Sequence, residues 1–111
     1  MKHISATIRP FRLDDVRLAL KELGRVATIT EVKTYNPRIA SSGTYLGGEH
    51  AGGFAPKIKI DVYVADSQSA KAIEIIRKAA LTGHIGDGTI CVSTVDKLVR
   101  IRTGEVDDAA L

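Results

Sequence analysis

The residues most suggestive of chemistry stand near the end of the chain. Thr82-Gly83-His84-Ile85-Gly86-Asp87-Gly88-Thr89 packs three glycines into eight positions. Glycines let a backbone approach a ligand closely, and successive N–H groups in such a turn can form a concave anion nest. The same pattern also suits a helix end followed by an ordinary tight turn. No Gly-Lys-Ser/Thr follows, so this is not a Walker loop. Arg100-Ile101-Arg102 places two guanidinium forks at i and i+2, which on a strand share one face and can meet one polyanion. Lys57 and Lys59 repeat that spacing. Each pair alone reads equally as solvated charge. Four cations beside a glycine nest make a phosphate-binding surface the stronger reading.

A catalytic constellation does not emerge. Asp14-Asp15 looks like helix-start chemistry. His3, His50 and His84 lie far apart without metal-ligand spacing, and Ser41-Ser42 lacks a nucleophile context. The expectation is a binding protein with no catalytic residue, no bound metal and no resident cofactor. The alternatives are a small enzyme acting on nucleotides and a metal-tolerance protein.

The elements that must carry these residues follow from periodicity. Ile4, Ala6 and Ile8 alternate with polar residues, which predicts a strand with one face in a core, ended by Pro10. Asp14 offers a helix N-cap, with Leu13, Val16, Leu20 and Leu23 on the inner side and Gly24 as C-cap. The run Ala27 to Tyr35 is rich in Thr, Val and Ile and predicts a second strand. From Asn36 to Pro56 no period survives; five of the ten glycines fall there, which predicts a long partner-binding loop. Ile58, Ile60, Val62 and Val64 then alternate through a third strand. Asp66 or Ser67 caps a second helix with Ala70, Ile73, Ile76 and Ala80 inward, closed by Gly83. Strands over Ile90–Val95 and Leu98–Arg102 and a polar tail from Gly104 to Leu111 complete the chain.

Strand, helix, strand, strand, helix, strand is the split βαβ, or ferredoxin-like, α+β arrangement. Both helices would cover one sheet face. Ser5, Thr7, Lys57, Lys59, Asp61 and Tyr63 would occupy the other, which either meets water or lines an assembly.

At 111 residues the chain is one domain, long enough to bury roughly two-thirds of its unfolded surface. Its longest apolar runs fall far short of the ~20 residues that cross a bilayer, and Met1 to Pro10 lacks a secretory pattern. A cytoplasmic protein is expected. The single Cys91 excludes an internal disulfide and reads as a buried structural thiol. Sixteen basic against thirteen acidic residues give +3, too balanced to imply nucleic acid, and five Phe and Tyr with no Trp leave few stacking platforms.

Lys2 to Leu20 (KHISATIRPFRLDDVRLAL), Thr30-Glu31-Val32-Lys33, Phe54 to Ile60 (FAPKIKI), Thr82 to Gly88 (TGHIGDG) and Arg100 to Glu105 (RIRTGE) together resemble the PII signal-transduction family. The likeness spans nearly the whole chain. It implies a ferredoxin-like homotrimer binding adenine nucleotides (ATP, ADP or AMP, with Mg2+ accompanying ATP) in clefts between subunits. The second sheet face would then turn inward. The loop Asn36–Pro56 would match the family T-loop, which engages a membrane transporter or metabolic enzyme. By the same resemblance Ile85, Gly86, Asp87, Gly88 and Thr89 wrap the nucleotide, while Arg100, Ile101 and Arg102 reach it from the neighbouring subunit. Thr28 and Tyr63 fall around the adenine, Lys57 at the lysine that contacts 2-oxoglutarate, and Arg38 at the loop base.

The sequence also departs from that pattern. Thr89 stands where the family usually has a lysine for the outer phosphates. Thr34-Tyr35-Asn36-Pro37-Arg38 replaces Gly-Phe-Gly-Arg-Gln, which removes the glutamine used with magnesium and 2-oxoglutarate. His50 stands at the tyrosine that many members modify. These changes imply a PII-like protein with a divergent T-loop. AMP, cyclic AMP and bicarbonate, to which some PII-like proteins respond, join its candidate signals.

Overall fold

The computed structural model describes residues 1–38 and 52–111. Most of the long loop, including Ser41, Ser42, Tyr45 and His50, lies outside the described residues. The elements run β1 (Lys2–Ile8), a 3-10 turn (Pro10–Arg12), α1 (Leu13–Leu23), β2 (Ala27–Tyr35), β3 (Phe54–Val64), α2 (Asp66–Ala80), β4 (Gly88–Thr94) and a second 3-10 turn (Asp107–Ala110). The strands form one antiparallel sheet in the order β2-β3-β1-β4, the ferredoxin-like arrangement.

Alternation builds the core. Ile4, Ala6 and Ile8 of β1 face the same side as Ile58, Ile60, Val62 and Val64 of β3, and the helices close over them with Val16, Leu20, Leu23, Ala72, Ile76 and Ala80. Residues between them turn to the uncovered face, where register places Ser5 opposite Asp61, Thr7 opposite Lys59 and His3 opposite Tyr63. No helix among the described residues is long and apolar enough to cross a membrane.

Several boundaries differ from expectation. Asp14 is not the N-cap of α1: the Pro10–Arg12 turn runs straight into the helix, with Arg12 N–H on the Arg9 carbonyl at 3.0 Å. Asp14 and Asp15 instead sit in the first turn, where the helix dipole favours them. Gly24 ends the helix left-handed as expected, at φ +65°. The third strand begins at Phe54, inside the expected loop, because its pairing with β2 extends to Tyr35 opposite Phe54. In α2 the cap position is Ala65 and the buried stripe is Ala72, Ile76 and Ala80; Ala70 is exposed. Cys91 is exposed in this single chain. It pairs with Ser5 and so points away from the helices.

The expected strand over Leu98–Arg102 is a tight hairpin. Only Val99 and Val106 pair, and the Arg-Thr-Gly-Glu turn between them is closed by Gly104 N–H on the Arg100 carbonyl at 2.8 Å. Gly104 takes φ +73°, and Thr103 Oγ1 both donates to Glu105 and accepts its amide. Turn chemistry outweighs β-propensity here. The polar tail packs back, with Ala110 buried.

Candidate functional site

The candidate residues fall into two separate groups. The first is the glycine turn between α2 and β4. Its organising group is the Asp87 carboxylate, which accepts the Thr82 amide at 2.8 Å, the Gly83 amide at 2.9 Å, the Thr82 hydroxyl and Arg9 Nε at 3.0 Å. The Thr82 hydroxyl and amide, then Arg9 and the Gly83 amide, hold this carboxyl well below the usual carboxylate range against the opposing effect of burial. Asp87 therefore works inward, shaping the turn. Arg9 also donates through Nη2 to the Ile85 carbonyl at 2.7 Å, and Lys57 Nζ to the Gly86 carbonyl at 2.5 Å.

Gly88 is where the turn becomes a strand. A Cβ there would lie 1.8 Å from the Thr7 carbonyl oxygen, so no side chain fits. Thr89 follows, paired with Thr7. Thr7, Arg77, Asp87, Gly88 and Thr89 border a cleft of about 280 Å³ here.

The second group lines a cleft of about 460 Å³ bordered by Val26, Thr28, Tyr63, Arg100, Ile101 and Arg102. Arg100 is anchored, donating through Nη2 to the Ala110 carbonyl at 2.7 Å. Thr28 stands on β2, opposite Asp61. His3 Nε2 lies 2.7 Å from Asp61 Oδ1, and the His3 ring stacks on Tyr63 at 4.9 Å between centroids. Burial raises the Asp61 pKa, but the His3 and Ser5 hydrogen bonds and the Lys59 charge outweigh it and leave the net shift downward.

The two groups lie at opposite ends of the sheet. Ile8 faces both Ile58 and Gly88, whereas Tyr63 pairs with His3 five residues further along β3, roughly 17 Å at strand rise. The structure thus brings Lys57 to the glycine turn and Thr28 and Tyr63 to the two arginines, and keeps the groups apart. Arg38 sits at the loop base, its amide on Asn36 Oδ1 at 3.0 Å.

Arg9 was not legible as a site residue, because on the strand pattern it is one more polar position before a proline. Asp87 was legible as part of the turn but not as its anchor. Four donors converging on one carboxylate leave no signature in spacing.

The comparisons agree with this architecture. The family model described as nitrogen regulatory protein P-II matches residues 1–105. This chain belongs to the P-II family. It is 47% identical over 112 aligned positions to the nitrogen regulatory protein GlnK of Escherichia coli strain K12, covering all of both chains. It is 49% identical over 106 positions to the nitrogen regulatory protein P-II of Mesorhizobium japonicum, covering 95% of each. Among solved structures, Arabidopsis thaliana PII bound to citrate superposes with a TM-score of 0.79 at 32% identity, covering 99% of this chain and 91% of that one.

The Asp87 anchor has a pH consequence. A carboxyl with a lowered folded-state pKa contributes stability that is present above its unfolded value, 3.8, and is lost as pH falls toward the folded value. Near pH 4 Asp87 stays charged, and the Thr82 and Gly83 amides should remain protected from hydrogen exchange. Asp87→Asn should abolish that protection at neutral pH and flatten the acid limb of the stability curve. Equal protection in the variant would show that the carboxylate does not hold the turn.

Proposed function

We propose that this P-II protein is a non-enzymatic regulator. In this reading it binds adenine nucleotides at clefts shared between the subunits of a homotrimer. It passes that occupancy through the loop between Tyr35 and Phe54 to a membrane transporter or metabolic enzyme of nitrogen or carbon metabolism. The observation that carries the reading is the separation of the half-sites. A glycine turn flanked by Arg9 and Lys57 and a cleft holding Arg100 and Arg102 are each a partial polyanion site. One small ligand meets both only when two chains supply them. The exposed side chains support the same arrangement. Ile85 in the turn and Ile101 between the arginines are both fully exposed in the single chain, a cost that joining the halves removes.

Regulation then follows as a shift of populations. A ligand that binds one arrangement of the loop base better than another moves the equilibrium by that difference in affinity. The β2–β3 ribbon runs from Lys57 at the turn to Tyr35 and Phe54 at the loop base, whose rings lie 4.9 Å apart.

The test uses two defective variants. Arg102→Ala should weaken ADP binding by about 1.5–3 kcal/mol, the range for hydrogen bonds to charged groups. Gly86→Ala should damage the other half. Neither alone should bind ADP at full strength, but refolding the two together should restore some intact sites, counted by calorimetry. No restoration, or a stable monomer in light scattering that binds at full strength, would overturn the shared site. Conversion of ATP to ADP by the purified protein would overturn the non-enzymatic reading.

A further inference from the structure

We propose that Arg9 is a positioning residue of the anion-binding turn, gripping its carbonyl side so that the N–H groups of Gly86 and Asp87 turn outward to the ligand. This rests on the nucleotide-binding reading and adds to it a residue outside the glycine turn and the arginine pair.

In a trans peptide the carbonyl of one residue and the N–H of the next point in opposite directions. Arg9 Nη2 holds the Ile85 carbonyl at 2.7 Å, so the Gly86 N–H points away from Arg9. Lys57 Nζ holds the Gly86 carbonyl at 2.5 Å, so the Asp87 N–H points away from Lys57. Among the described residues neither of these two amides has an acceptor at close hydrogen-bonding geometry; the Asp87 N–H only closes a loose turn toward the His84 carbonyl. Two consecutive amides with the preceding carbonyls tied back and no close internal partner are half of an anion nest.

Arg9 adds a second grip, from Nε to the Asp87 carboxylate at 3.0 Å. That fork clamps both ends of the Ile85–Asp87 segment to the end of β1, which is the centre of the sheet. It also lies against Gly86, whose φ of +101° already favours glycine. A Cβ there would stand 3.0 Å from Arg9 Nη2, so the guanidinium fills the space a side chain would need. A lysine carries the same charge and three donors, but all on one nitrogen at the end of a flexible stem, so it lacks the planar fork whose Nε and Nη2 reach the carboxylate and the carbonyl here. Geometry, not charge, is therefore what Arg9 contributes.

The experiment compares Arg9→Ala and Arg9→Lys with the wild-type chain, and with Arg17→Ala as a control that removes an exposed positive charge elsewhere. Residual dipolar couplings of the backbone N–H vectors are measured without ligand, and ADP affinity by calorimetry. In both Arg9 variants the Gly86 and Asp87 couplings should depart from wild type while those of Ile60 and Val62 in the sheet hold. ADP affinity should fall on the order of tenfold in both, the weight of one charge-assisted hydrogen bond. Arg17→Ala should change neither. Unchanged couplings, or recovery of ADP affinity by lysine, would overturn the proposal. Should wild-type protein bind no ADP, the nucleotide reading fails, and the couplings alone decide whether Arg9 sets the turn.

Discussion

Gly88→Ala should be the most damaging single-methyl addition in the chain. At φ +106° the residue lies where side chains are strained. The added Cβ would fall 1.8 Å from the Thr7 carbonyl oxygen and 2.9 Å from its carbonyl carbon. Those atoms are backbone of β1, which pairs with β3 on one side and β4 on the other and cannot swing aside like a side chain. The turn must therefore lift away, breaking the start of the β1–β4 ladder where Ile8 meets Gly88. Overpacking costs typically 1–3 kcal/mol and a strained backbone about as much again, so a loss of at least ~3 kcal/mol is expected.

Gly83→Ala is the matched control. Gly83 is also left-handed, at φ +83°, but a Cβ there meets nothing within 4 Å. It should lose only the conformational part, about 1–2 kcal/mol. Urea midpoints at equal protomer concentration separate the two. Gly88→Ala unfolding no earlier than Gly83→Ala would mean that the turn is not pinned to β1.

That contrast also marks what a sequence discloses. Ile4-Ala6-Ile8 and Ile58-Ile60-Val62-Val64 were readable because a period of two is a one-dimensional consequence of a sheet buried on one side. The glycine turn was readable because strained backbone leaves a compositional trace. The clamp on that turn was not. Arg9 and Asp87 are 78 residues apart, and only the β1–β4 register brings them together.

Cys91 failed for a related reason. Ile90 to Val95 is apolar enough to suggest burial all round, but β4 is an edge strand. Cys91 lies on the face without helices, and even Val92 is exposed. At Leu98–Arg102 apolar residues suggested a strand, whereas Thr103, Gly104 and Glu105 close a hairpin with their own hydrogen bonds. Arg100 and Arg102 line one cleft, but a turn carries them rather than a strand. That the two groups of candidate residues occupy opposite ends of the sheet is a property of strand order. No local pattern encodes it.

Thr89→Lys should change which nucleotide this protein prefers. Each further phosphate brings negative charge, and transferring that charge from water into a cleft is costly unless a cation receives it. Thr89 begins β4 directly after the turn and offers only a hydroxyl. Of the charges beside the turn, Arg9 is engaged on Ile85 and Asp87 and Lys57 on the Gly86 carbonyl, while Arg77 borders the same cleft from α2. With no lysine at this position ATP should hold little advantage, and ADP or AMP should bind as well or better. One charge-assisted contact contributes about 1.5–3 kcal/mol, so lysine should raise ATP affinity roughly ten- to a hundredfold while leaving AMP nearly unchanged. The same absence of the loop-base glutamine should leave 2-oxoglutarate with little effect on ATP binding by the wild-type chain. Arg38 is the competing cation, since a guanidinium at the loop base can take the role of the lysine. Arg38→Ala separates the cases: it should cost ATP no more than ADP if Thr89 sets the preference, and cost ATP selectively if Arg38 already serves the outer phosphate. Tight, cooperative binding of MgATP and 2-oxoglutarate by the wild-type protein would overturn the argument, because it requires a cation and a metal-binding group at positions where this sequence has Thr89 and Arg38.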